Sequence, residues 1–146
     1  NLYGPRDNFH PTNAHVIADL IRKMHESPDE IVLWGDGSPT REFLFVEDAA
    51  EAFVLAAQHY EGEEPVNVGA GKAISIRELA ELVAELSGFD GEIRWDESMP
   101  NGQPRRSLDA TRAKELFGFE ARTSLRQGLE RTIAWYRAQA PVHAAP

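Results

Sequence analysis

A chain of 146 residues, 42% hydrophobic and 27% charged, is long enough for one domain with a buried core and too apolar for wholesale disorder. Its net charge of −9 argues against nucleic acid or an anionic membrane as the main partner, while leaving room for a phosphorylated small molecule held by a few placed cations. The absence of cysteine excludes disulfides, thiolate zinc sites and cysteine nucleophiles; with no apolar run near about 18 residues and no signal peptide, a soluble cytoplasmic protein is expected.

In chain order, "NLYGPRDNFHPTNAH" is rich in turn formers and reads as a loop. Val16, Ile17, Leu20, Ile21 and Met24 fall on one face of a helix over residues 15–26, with Asn13 as its expected N-cap. "IVLWGDGSPTREFLFV" reads as two strands around a Gly/Pro loop. Asp48 can cap a helix through "AAEAFVLAAQHY", whose alanines predict close packing on both sides. "PVNVGAG" reads as a short buried strand ending in a glycine turn. Ser75 and Glu78 form a capping box before a helix lined by Leu79, Leu82, Val83 and Leu86 and ended by Gly88. "EIRWDES" is a strand, "MPNGQPRRS" a loop, and a short helix follows to Phe117, stopped by Gly118. Ser124 and Gln127 cap a last helix lined by Leu125, Leu129, Ile133 and Tyr136, and "APVHAAP" is a frayed tail. The domain organisation expected is one unit over residues 1–137 and a disordered tail over 138–146, with an α/β fold.

Four loop segments hold polar residues without an evident structural task. The first carries His10 and His15. At a helix start the dipole favours a neutral imidazole, suited to proton transfer near neutrality; a plain first-turn polar residue has the same spacing. A metal site there lacks an acidic third ligand at helical spacing. The second is Arg22-Lys23, with Lys23 two turns beyond His15, where it could share a cleft or be simply solvated. The third is "WGDGSPTREF": Trp34 can stack on a flat ring and Arg41 can pair with a phosphate, or the segment is a hairpin whose Trp covers the core. The fourth offers Asn101 and Arg105-Arg106, which suit a diphosphate or form a surface charge pair. "GAGKAISI" lacks the G-x-x-x-x-G-K-[ST] spacing and no G-x-G-x-x-G occurs, so neither phosphate-loop nor dinucleotide fingerprint is present.

The order of "NLYGPRDNF", "HVIADLIRK", "WGDGSPTREFLFVEDAAEA", "VNVGAGKAISIRELAE", "NGQPRRSLDATRAKELFGF" and "SLRQGLERTIAWY" resembles the C-terminal, substrate-binding portion of the extended short-chain dehydrogenase/reductases, the NAD-dependent sugar epimerases and dehydratases. "DNFHPTNAHVI" and "WGDGSPTREF" narrow the resemblance to members that epimerise and reduce GDP-4-keto-6-deoxymannose with NADP(H). The resemblance implies that His15 acts as acid near the cofactor, and that Asn1 and Leu2 end a segment touching the nicotinamide cofactor. It implies that Trp34 and Arg41 hold the nucleotide, with Lys23, Asn101 and Arg106 completing the substrate site. Lys23 stands where that group has arginine, Asn101 where it has aspartate and Arg106 where it has lysine, so an enzyme of UDP- or dTDP-sugars and a stand-alone nucleotide-sugar binding module stay open.

The resemblance further implies an extended Rossmann-type fold, most of whose parallel sheet precedes residue 1. No Tyr-x-x-x-Lys follows Tyr3, Tyr60 or Tyr136. The expectation is a piece of a longer enzyme that by itself binds no cofactor and catalyses nothing. Residues 48–60 and 65–69 would then present an alanine-rich apolar face and an open strand edge, predicting a homodimer or other self-association.

Overall fold

The computed structural model describes residues 1–139; the stretch 140–146, expected as a frayed tail, lies outside them. The described chain is α/β, with five helices and three small sheets. Strand β1 (Leu2–Tyr3) pairs in parallel with β4 (Leu44–Phe45), and β2 (Glu30–Trp34) in parallel with β6 (Glu92–Asp96). The third sheet sets β3 (Thr40–Glu42) between β5 (Ala73–Ser75), antiparallel, and β7 (Arg105–Arg106), parallel.

Helix α1 (Val16–Glu26) buries Ile17, Leu20, Ile21 and Met24, as the helical spacing predicts. Its cap differs: His15 holds the N-cap position without a side-chain capping bond, and Asn13 lies too far upstream. Asn13 Oδ1 instead accepts from Asn8 Nδ2 at 2.9 Å, closing the loop on itself. Helix α3 (Ile76–Ser87) begins at the expected Ser75–Glu78 capping box and ends at Gly88, whose φ of 59° is left-handed. Helix α5 (Leu125–Gln139) starts at the Ser124–Gln127 box and runs to Gln139, past the boundary expected at residue 137. Helices α1, α3 and α5 share the main core, where Leu20, Leu79, Val83 and Leu129 exclude water.

Four further expectations are corrected. Strands β2 and β3 form no hairpin, because Gly35 and Gly37, with φ of 74° and 76°, turn the chain away from β2. A Cβ at Gly37 would lie 2.6 Å from the Trp95 ring, so that turn must hug β6 closely. Asp48 does not cap helix α2 (Val46–His59), which already starts at Val46. Its buried carboxylate accepts from Thr123 N–H at 2.9 Å and Thr123 Oγ1 at 2.8 Å, anchoring the approach to α5. Residues 65–69 pair with no strand among the described residues. Helix α2 packs on one side only, through Ala49 and Ala52 against Ala113 and Phe117 of α4 (Thr111–Phe117), while Phe53 is 73% and Val54 56% exposed.

Candidate functional site

Alternation along β2 turns Ile31 and Leu33 into the core and leaves Trp34 65% exposed at the strand's end, so the reading of Trp34 as a core cover is overturned. Trp34 borders a cleft of about 480 Å³ between α1, β2 and the loop before α1. Pro11, Thr12 and Ala14 come from that loop, Lys23 from α1, Leu33 from β2 and Ile76 from α3. The volume lies within the range of about 300–1,000 Å³ typical of small-molecule sites, and the walls are mostly apolar with a single cation.

Of the Arg22-Lys23 pair only Lys23 reaches the cleft, where its Nζ meets Asp19 Oδ2 at 2.9 Å. Arg22 bridges Asp19 and Glu26 on its own helix at 2.6 and 2.5 Å, which is a structural use. His15 is exposed between the cleft residues Ala14 and Val16 without forming a wall itself. His10 Nδ1 sits 3.0 Å from Thr12 Oγ1 within the loop. Among the described residues no group of three or more His, Asp or Glu side chains could hold a metal ion.

Beyond Trp34 the chain turns through residues 35–38 and is held from two sides. Asn101 Oδ1 accepts from Asp36 N–H at 2.8 Å, and a Cβ at Gly35 would lie 2.0 Å from that same oxygen. Arg77, at the start of α3, donates to the Asp36 carbonyl and stacks over the Trp95 ring at 4.7 Å. The Asp36 carboxylate accepts from Ser38 N–H at 2.8 Å; this contact, followed by Asn101 nearby, holds its pKa below the usual carboxylate range. Sequence reasoning missed Arg77, because a basic residue beside a capping box looks like any solvated first-turn residue.

Arg41 and Arg106 stand side by side in the β3–β7 register. The Arg41 guanidinium donates through Nη1 to the carbonyls of Thr40 and Gln103, at 2.8 and 2.7 Å, and keeps its remaining N–H groups outside those bonds. Arg106 borders a hollow of about 140 Å³ with Asn1, Leu2, Val68 and Gly69. Among the described residues Arg41, Lys72, Arg77, Arg105 and Arg106 have no carboxylate oxygen within 4.0 Å, nor do Arg6 and Arg137 elsewhere, whereas Arg94, Arg112, Arg126 and Arg131 are paired. Five cations without a carboxylate partner thus border one small sheet, which also holds the buried carboxylate of Glu42.

The expected site residues therefore fall into neighbouring groups. Lys23 and Trp34 share the cleft, Asn101 and Arg41 are joined through the 97–104 loop to the turn beyond Trp34, and Asn1, Leu2 and Arg106 share the hollow. Glu42 was not expected: its buried carboxylate accepts from Gly71 N–H at 3.0 Å and Leu108 N–H at 2.9 Å, fixing two walls of the hollow. Strand alternation with Leu44 is the one signal that could have placed it inward. The hollow beside Asn1 and Leu2, and a second of about 210 Å³ along residues 2–7, are both smaller than the roughly 300 Å³ at which ligand sites begin. A dinucleotide does not fit within either, so these residues would touch only an edge of one. Among the described residues no helix is long and apolar enough to cross a membrane.

Residues 1–69 match the NAD dependent epimerase/dehydratase family. The chain is 49% identical over 140 residues to a probable GDP-L-fucose synthase 1 of Oryza sativa subsp. japonica, covering 93% of this chain and 42% of that protein. A GDP-L-fucose synthetase from Naegleria fowleri bound to NADP superposes with a TM-score of 0.88 at 28% identity, over 94% of this chain and 44% of that one. A UDP-glucose 4-epimerase from Thermotoga maritima, solved with UDP-glucose, superposes with a TM-score of 0.85 at 32% identity, over 94% and 44% respectively. The chain thus spans less than half the length of these relatives.

Proposed function

We propose that this chain belongs to the NAD dependent epimerase/dehydratase family, whose model matches residues 1–69, and that residues 1–137 form the nucleotide-sugar-binding part of an NADP-dependent GDP-4-keto-6-deoxymannose 3,5-epimerase/4-reductase of the GDP-L-fucose synthase type. The observation that carries this reading is the exposed Trp34 at the mouth of an apolar cleft, with unneutralised Arg41 and Arg106 on the adjoining sheet. A flat base stacks on the indole, a diphosphate takes the guanidinium N–H groups, and Lys23 adds charge from the opposite wall. Asn101 completes this substrate site from the 97–104 loop. His15, at the helix start beside the cleft, supplies the proton in the epimerisation. Asn1 and Leu2 lie along the edge of the cofactor. NADP(H) supplies hydride in the whole enzyme; this sequence has neither a Tyr-x-x-x-Lys nor a cysteine, so the chain alone binds substrate without turning it over.

Calorimetric titration of the chain with GDP, UDP and dTDP at low salt tests the reading. GDP binds best, and Arg41→Ala weakens it by about tenfold or more, the worth of a charge-assisted hydrogen bond to phosphate. A preference for UDP or dTDP moves the assignment to a sister enzyme, which the UDP-glucose-bound relative and the departures at Lys23, Asn101 and Arg106 keep open. Absence of binding to all three overturns the reading. Self-association belongs to the same reading, supported by Phe53 and Val54 exposed on the outer face of α2. Sedimentation velocity over a hundredfold range in concentration should show a dimer or larger species; a monomer throughout removes that part.

A further inference from the structure

The turn that follows Trp34 at the end of β2 is short, polar and outside any hairpin, yet it has attachments to three distant parts of the chain. Gly35 N–H donates to Asp96 O at 2.9 Å, continuing the β2–β6 ladder by one bond. Asn101 then supplies the acceptor for Asp36 N–H across 65 residues of sequence, and Arg77 the donor for the Asp36 carbonyl across 41. Both backbone polar groups of one residue are thus satisfied by side chains from different elements. Arg77 N–H in turn donates to Gly37 O at 2.9 Å, so α3 holds the turn by backbone as well as side chain. Such bonds fix a segment that has no ladder of its own.

We propose that Asn101 and Arg77 are positioning residues that clamp Asp36 and so fix the indole of Trp34 at the cleft mouth. Neither needs to touch a ligand for this. Resting on the nucleotide-sugar reading, the clamp prepays the ordering of the stacking surface, so its loss lowers affinity by restoring motion to Trp34. It also gives Asn101 a use distinct from direct recognition: its carbonyl oxygen is committed to Asp36. An aspartate at the same place keeps that acceptor, whereas alanine removes it.

The test needs no ligand for its main readout. In Asn101→Ala, exchange of the Asp36 amide accelerates by about tenfold and the Trp34 indole N–H shows increased fast motion in ¹⁵N relaxation, with the amides of α3 and α5 still protected. Asn101→Asp returns both readouts towards the parent protein, a rescue that general destabilisation does not give. Arg77→Ala loosens the same turn from the other side. With GDP as probe, affinity falls in Asn101→Ala and recovers in Asn101→Asp. Unchanged Asp36 exchange and Trp34 relaxation in both alanine variants overturns the clamp. If these respond while the parent chain binds none of GDP, UDP and dTDP, the clamp stands and the nucleotide reading fails.

Discussion

Gly128→Ala destabilises this protein, although alanine normally stabilises a helix interior by about 1 kcal/mol relative to glycine. Gly128 lies buried in the first turns of α5, where a Cβ would stand 2.0 Å from the Tyr3 hydroxyl, 2.7 Å from its Cζ and 2.9 Å from Phe45. Tyr3 cannot swing aside. Its hydroxyl donates to Leu125 O at 3.3 Å, and its ring sits edge-on against Phe43 and Phe45 at 6.4 and 5.6 Å. The helix must lift or the ring must leave its rotamer, and overpacking of this kind costs about 1–3 kcal/mol. Urea denaturation of the variant measures it. Removing the obstructing hydroxyl by Tyr3→Phe relieves the nearest contact, so the double variant is more stable than the sum of the single changes by about 0.5 kcal/mol or more. A Gly128→Ala protein as stable as the parent contradicts the packing described.

Glu42→Ala is the second large loss. Glu42 is 5% exposed, and among the described residues its carboxylate is the sole acceptor for Gly71 N–H and Leu108 N–H. Hydrogen bonds to a charged group contribute about 1.5–3 kcal/mol each, so losing both destabilises by about 3 kcal/mol or more. Glu42→Gln is no rescue: one oxygen remains, and the amide N–H₂ is set against the other backbone donor. Gly69 adds a local reason for the fit, since a Cβ there would stand 2.2 Å from Glu42 Oε1. Amide exchange resolves the effect, with Gly71 and Leu108 losing protection before the α3 amides do. Retained protection at both amides in Glu42→Ala would falsify the role given to Glu42. The consequence for function is local, because these two segments wall the hollow beside Arg106.

The helices and most of their ends were legible in the sequence, the starts of α1 and α2 excepted. The apolar faces of α1 and α3, both capping boxes and the glycine stops at Gly88 and Gly118 depend on residues within a turn or two of each other. The sequence also singled out Lys23, Trp34 and Arg41, in loops or their flanks, as candidate site residues. What the sequence by itself determined is therefore everything set by short-range hydrogen bonding and by helical or strand periodicity. Tertiary structure decided the rest. It paired β2 with β6 rather than β3, turned Trp34 outward, and drew Asp48 from a helix cap to Thr123, 75 residues away. It assigned the Asn101 oxygen to Asp36 and left Arg41 and Arg106 adjacent without a carboxylate between them. A side chain's candidate partners are set by which distant elements the collapsed core brings alongside, and local spacing carries no record of that choice.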